Sequence, residues 1–285
     1  VTWVAPIIDH PTTSGTFYVA RQRVYKSTNN GGSWTAVSGN VNGSNAVREL
    51  AISKTNPSLL YATTGSQIFL STDGGATWNS KSTGLPGRTI TSVYVHPDDE
   101  NIAVITFSGF GTDKVFKTTN QGTSWFSIHG NLPDSPVNDA FIYAEDVLNP
   151  NTYFVATDIG VFLTQDNGTN WVELPNGLPN TVILHLDYSP SNQMMRAGTH
   201  GRGVFEAFID LTIPVELSSF TAEVGRNSVT LNWTTETETN NHGFEIERKF
   251  KNQDWQTIGF IKGNGTTAVP QNYYYKDDLS ALPYE

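Results

Sequence analysis

One eight-residue phrase occurs four times in this chain: Ser27-Thr-Asn-Asn-Gly-Gly-Ser-Trp34, Ser71-Thr-Asp-Gly-Gly-Ala-Thr-Trp78, Thr118-Thr-Asn-Gln-Gly-Thr-Ser-Trp125 and Thr164-Gln-Asp-Asn-Gly-Thr-Asn-Trp171. Its closing tryptophans stand 44, 47 and 46 residues apart. A fixed period in the forties is what one four-stranded blade of a radial sheet repeat requires. The phrase reads as a hairpin tip: Asn or Asp at its third position can accept from backbone further on, Gly at its fifth supplies a positive φ, and the Trp anchors the turn to its sheet. On this reading Asn29, Gly31 and Trp34, Asp73, Gly75 and Trp78, Asn120, Gly122 and Trp125, and Asp166, Gly168 and Trp171 are structural, with the four rings in equivalent buried positions.

The period continues around each phrase. A short apolar strand runs into a Pro-containing turn at Ile7–Pro11, Ala51–Pro57, Val93–Pro97, Val147–Pro150 and Leu186–Pro190, and each turn leads to a second strand, such as Leu59–Thr63 or Tyr153–Thr157. A third strand enters the phrase and a fourth follows its Trp. Runs of β-branched and aromatic residues cut by Gly, Pro and Asn are strand signals, and no segment carries a sustained helical period. The fifth repeat, Met194 to Ile209, has neither the phrase nor a fourth strand. The expectation is an all-β chain whose residues 1–211 are about five propeller blades, or the C-terminal part of a larger ring completed by a strand from upstream of Val1.

A second pattern fills residues 212–285. Alternation in Val229, Leu231 and Trp233, and in Phe244 and Ile246, predicts strands that bury one face. The segment reads as a β-sandwich that stops short, because such modules run to about 100 residues. The unpaired edges expected in both segments could pair with another chain or a second copy. A net charge of −10 argues against nucleic acid and anionic membrane surfaces as partners, which need a basic face. No run of about 18 apolar residues predicts a transmembrane segment. Without cysteine there are no disulfides or thiolate metal sites, and neither a metal nor a cofactor is expected.

The fourfold phrase resembles the Asp-box, or BNR, repeat of sialidases, xyloglucanase-type glycoside hydrolases, sortilin-like receptors and a plant photosystem assembly factor. In that family the box is a staple away from the catalytic centre. The Pro214-Val-Glu-Leu opening, the stretch from Leu231 through Arg248 and the Tyr273-Tyr-Tyr-Lys-Asp-Asp ending resemble a fibronectin type III-like module common in Bacteroidota, found before the sorting signal of type IX-secreted proteins. That resemblance implies a secreted or outer cell-surface protein, with the type IX machinery as a partner through a further C-terminal domain.

Catalytic candidates are sparse. A sialidase needs clustered arginines for a carboxylate, and none of the eight here sits in that family's opening motif. The phrase Ala156-Thr-Asp-Ile-Gly-Val161 resembles the Thr-Asp-Ile-Gly-Gly phrase of the xyloglucanase-type hydrolases, with Val161 in place of the second Gly. Asp158 is therefore a weak catalytic candidate; a turn-forming Asp is the plainer reading. His200 and Arg202, in Thr-His-Gly-Arg-Gly, are binding candidates, or braces between blades. His10, His96 and His185 lie near inner strands without metal-ligand spacing. Asp98, Asp99 and Glu100 read as a solvated turn, and the Asn-x-Ser/Thr matches at Asn42, Asn167, Asn232 and Asn264 carry little weight. The preferred function is a noncatalytic surface propeller that binds extracellular protein or glycan or serves an adhesive assembly. The alternative is a fragment of a glycoside hydrolase.

Overall fold

The computed structural model describes residues 4–144, 150–174, 180–189, 191–209, 217–236, 238–250, 254–267 and 269–280. By its internal contacts the chain divides into two units, Val1–Ile209 and Asp210–Glu285. The expected boundary at 211/212, the opening residues Pro214 to Glu216, the turn residues 147–149 and Pro190 lie outside the described residues.

The first unit is five antiparallel meanders. They are β1 (Ile7–Asp9), β2 (Phe17–Ala20), β3 (Val24–Ser27) and β4 (Thr35–Ala36); β5 (Glu49–Ile52), β6 (Leu60–Thr63), β7 (Ile68–Ser71) and β8 (Asn79–Ser80); β9 (Ile90–Val95), β10 (Ala103–Phe107), β11 (Val115–Thr118) and β12 (Phe126–Ser127); β13 (Val137–Ile142), β14 (Tyr153–Thr157), β15 (Gly160–Thr164) and β16 (Val172–Glu173); and the three-stranded β17 (Ile183–Ser189), β18 (Met194–Thr199) and β19 (Val204–Phe208). The first strands of successive sheets pack on one another: β1 on β5, β5 on β9, β9 on β13 and β13 on β17. The sheets therefore stack face to face about a shared inner edge, with the two-residue fourth strands exposed at the outside.

Stacking explains why the second strands of the second, third and fourth sheets do not alternate, whereas β2 in the first sheet and β18 in the fifth do. β6, β10 and β14 are buried at every residue because each is covered on both faces. The cores lie between sheets: Tyr18, Ala20 and Val24 meet Leu50 and Leu60, Leu59 and Tyr61 meet Ile90 and Ile105, and Val104 and Val115 meet Ala140 and Val155.

All four phrases form the same turn between the third and fourth strands. In the second, Ser71 Oγ donates to Asp73 Oδ1 (2.7 Å) and accepts from Gly75 N–H (2.8 Å), while Asp73 accepts from Thr77 N–H (2.9 Å). The same three bonds recur around Asn29, Asn120 and Asp166. Positive φ occupies both the fourth and the fifth positions, at Asn30 (57°) and Gly31 (82°) as at Asn167 (60°) and Gly168 (81°), so the turn is left-handed over two residues.

The tryptophans are equivalent in sequence but not in burial. Trp171 is 4% exposed and Trp34 is 37% exposed, with Trp78 and Trp125 between them. The cause is the preceding sheet. Trp171 Nε1 donates to Ile128 O (2.9 Å) and Trp125 Nε1 to Lys81 O (2.8 Å), each across to the sheet before. Among the described residues Trp78 bonds only its own turn, at Gly75 O, and Trp34 lies in the first sheet.

The second unit has one sheet of β20 (Leu217–Val224), β21 (Ser228–Thr235) and β24 (Gln271–Asp278), and a hairpin of β22 (Glu238–Arg248) and β23 (Gln256–Thr267). Trp233 joins them, its ring 5.2 Å from Phe244 and 5.6 Å from Tyr273. Of the alternating residues on β21, Trp233 is buried, while Val229 and Leu231 are half-exposed. No helix among the described residues is long and apolar enough to cross a membrane.

Candidate functional site

The stacked inner edge gathers polar residues that the sequence scatters. Glu49 on β5, Ser92 on β9, Asp139 on β13 and His185 on β17 lie 43, 47 and 46 residues apart, the spacing of the blades themselves. Asp139 is at their centre. Its Oδ1 accepts from Ser92 Oγ (2.6 Å) and Ala140 N–H (2.8 Å), and its Oδ2 accepts from Leu186 N–H (2.9 Å) and lies 2.6 Å from His185 Nδ1. Four donors fill about the full acceptor capacity of a carboxylate, so Asp139 ties three successive inner strands together.

The local electrostatics follow from this crowding. Burial, and next the charge of Asp139, push the Glu49 carboxyl up to about 7, against an opposing pull from His185. His185 is raised by its hydrogen bond to Asp139, partly offset by burial and reinforced by the charges of Asp139, Asp187 and Glu49. Glu49 can therefore exchange a proton near neutrality, whereas Asp139 is committed to structure.

The sequence-derived candidates lie in the turns between second and third strands. Asp158 sits between β14 and β15. Its Oδ1 accepts from Asn138 Nδ2 (2.9 Å), which also donates to Ile183 O (2.9 Å). Asp158 thus helps couple the fourth sheet to the fifth. His200 and Arg202 occupy the exposed β18–β19 tip, where their backbone amides bond Val182 O and Thr199 Oγ1. Among the described residues their side chains neither meet one another nor form an ion pair. The box residues stay in their turns. His10 and His96 accept from the backbone of Thr12 and Asp98 two residues on, capping the turn after the first strand. Among the described residues no group of three His, Cys, Asp or Glu is placed to hold a metal.

One cleft was not singled out from the sequence. It opens between the first and second sheets, with a volume of about 620 Å³, and Arg21, Arg23, Tyr25, Asn45, Arg48 and Thr64 are among its lining residues. Its walls are pinned by hydrogen bonds: Arg21 N–H donates to Arg23 O (3.1 Å), Val41 N–H to Gln22 O (2.8 Å) and the Gln22 side-chain Nε2 to Ser44 O (3.2 Å). Asn42 Nδ2 fastens the intervening loop to the second sheet at Thr64 Oγ1 (2.8 Å).

The sequence pattern of the Sortilin-Vps10 family (sortilin, neurotensin receptor 3) matches residues 22–134 and again residues 66–178. The second match is displaced by one blade, and together they span more than half of the chain. The chain belongs to this family. No curated protein matches the sequence. Among solved structures, the GH74 enzyme of Niastella koreensis is similar at 20% identity and a TM-score of 0.54, over 71% of this chain and 29% of that one. An ancestral GH74 enzyme is similar at 18% identity and a TM-score of 0.56, over 90% of this chain and 39% of that one. The extracellular domain of a hybrid two-component system from B. thetaiotaomicron aligns at 12% identity and a TM-score of 0.55, over 92% of this chain and 34% of that one. The chain thus spans well under half of each of these structures, and at such identities the likeness establishes a β-propeller fold.

Proposed function

We propose that this chain is a secreted or cell-surface β-propeller module that binds an extracellular glycan or protein through its loop face. The single observation that carries the reading is the contrast in how polar groups are used. The carboxylates of Asp139 and of the box residues Asp73 and Asp166 are tied into hydrogen bonds within the fold, whereas among the described residues the guanidinium groups of Arg21, Arg23 and Arg48 in the cleft between the first two sheets have no hydrogen-bond partner. Propellers serve such a role because loops on a rigid ring supply the site.

In this reading residues 1–211 are an arc of a larger ring. Residues 212–285 are a fibronectin type III-like module. In support, β20, β21 and β24 share one sheet while β22 and β23 form the other, the placement of the first five strands of such a sandwich. The resemblance of that module to those of type IX-secreted proteins supports export. Binding is tested by presenting the full chain to arrays of neutral and acidic oligosaccharides and of peptides; a chain that retains none of them refutes it.

A second reading, a fragment of a glycoside hydrolase, is favoured by Glu49, a carboxyl able to donate a proton at neutral pH. It predicts turnover of xyloglucan or a related β-glucan that Glu49→Gln or Asp158→Asn abolishes with the fold intact.

A further inference from the structure

Three of the chain's eight arginines, Arg21, Arg23 and Arg48, line the cleft between the first and second sheets. Arg21 and Arg23 are presented by the tight turn between β2 and β3, and Arg48 by the residue that leads into β5. All three are exposed, and among the described residues none of their guanidinium groups makes a hydrogen bond or ion pair. Among the described residues no Asp or Glu lines the cleft. In a chain of net charge −10 such a concentration of uncompensated positive charge is unusual. By contrast, Arg196 is paired with Asp187 and Glu206, Arg248 with Asp277, and Arg88 donates to Phe110 O.

The rest of the lining narrows the ligand. Asn45 and Thr64 add neutral hydrogen-bonding groups and Tyr25 an aromatic face, in a volume that falls within the range of small-molecule sites. An acidic peptide held mainly by apolar anchors would need hydrophobic pockets that this polar lining does not offer. We propose that the cleft binds an acidic oligosaccharide. Its carboxylate or sulfate groups are received by the planar forks of Arg21, Arg23 and Arg48, and its hydroxyls by the neutral residues. This rests on the binding-module reading and names the ligand class of that same site.

Titration calorimetry of the full chain at low and at physiological salt tests it, with an oligogalacturonate, a heparin oligosaccharide, a neutral xyloglucan oligosaccharide and oligoglutamate as probes. Saturable binding of the oligogalacturonate, the heparin oligosaccharide or both is expected, and which of them binds identifies the anion as carboxylate or sulfate. Arg48→Gln should weaken it about tenfold and the pair Arg21→Gln and Arg48→Gln about a hundredfold. Thermal unfolding should be unchanged, because these guanidinium groups brace nothing. Arg21→Lys with Arg48→Lys keeps the charge and loses the forks; full affinity in that variant would reduce the site to nonspecific attraction and overturn the proposal. Equal binding of oligoglutamate would overturn it in favour of acidic protein. Binding of the neutral oligosaccharide alone, unaffected by the arginine variants, would sink the cleft assignment and leave the module reading standing, and silence toward every probe would sink both.

Discussion

The carboxylate of Asp139 and the imidazole of His185 meet at 2.6 Å across two neighbouring inner strands, and the two residues stand one blade period apart in the sequence. The contact joins the fourth sheet to the fifth at their shared edge, with the nearby Glu49 carboxyl pushed up to about 7 by burial and by the charge of Asp139.

This arrangement sets a pH dependence. Glu49 and His185 both have raised values in the folded chain, so the stability they contribute is fully present below their ordinary values and is lost as pH rises through the folded ones. Above about pH 7 Glu49 ionises beside Asp139, and at its own raised value His185 loses the proton that strengthens its bond to Asp139. The propeller unit should therefore be less stable at pH 8 than at pH 5 by about 2 kcal/mol. Denaturant titrations at the two pH values measure this, and Glu49→Gln should remove most of the difference. Unchanged stability in the wild-type chain would contradict the electrostatic picture.

The graded burial of the box tryptophans predicts graded costs. Trp171→Ala deletes a fully buried ring and its bond to Ile128 O, and should cost about 3–5 kcal/mol. Trp34→Ala removes a ring that is over a third exposed and should cost about 1 kcal/mol or less. Equal losses in the two variants would show that the turn, not the preceding sheet, determines the anchor's worth.

These tryptophans also mark how far the fold could be read from sequence. The repeated phrase predicted four equivalent turns, and the backbone of all four is the same, because Gly and a third-position Asn or Asp act within eight residues. Burial depends on the neighbouring sheet, which no single repeat encodes. The inner-edge cluster is legible in the sequence, since Glu49, Ser92, Asp139 and His185 recur with the blade period, although the histidines alone carry no metal-ligand spacing. The arginine cleft was not legible. Arg21 and Arg48 converge only because the second-to-third-strand turn of one sheet faces the entry to the next, a relation created by stacking.

Two glycines at the same box position should respond differently to alanine. At Gly168, with φ +81°, an added Cβ would lie 2.2 Å from Ile128 O, a backbone atom that cannot withdraw. At Gly31, with φ +82°, the nearest atom is a Trp34 ring carbon at 3.7 Å. Gly31→Ala should cost only the backbone penalty, about 1–2 kcal/mol, while Gly168→Ala should cost upwards of about 3 kcal/mol by forcing the third and fourth sheets apart. Thermal unfolding of the two variants decides; a mild Gly168→Ala would mean that the seam between these sheets yields.

The second unit carries a carboxylate, Glu238, whose value is shifted in the opposite direction to that of Glu49. Burial pushes Glu238 up, but hydrogen bonds from Tyr273 OH, Asn264 N–H (2.9 Å), Asn241 Nδ2 (3.0 Å) and Thr235 Oγ1 (2.8 Å) more than offset it, and its value is lowered. Tyr273 is pushed up to about 12, by burial and then by Glu238. A lowered carboxylate contributes stability that is present above its ordinary range and lost as pH falls through the folded value. The second unit should therefore weaken below about pH 4.5, in contrast to the loss expected of the first unit above neutrality. Glu238→Ala leaves three side-chain donors and one amide without their acceptor, and should cost about 2–4 kcal/mol. Glu238→Gln turns one acceptor into a donor facing other donors and should fall between. Hydrogen exchange measured separately on peptides of 217–280 reads this unit alone: faster exchange in β21, β22 and β24 of Glu238→Ala is the expected result, and protection equal to that of the wild type would show that the four bonds organise nothing.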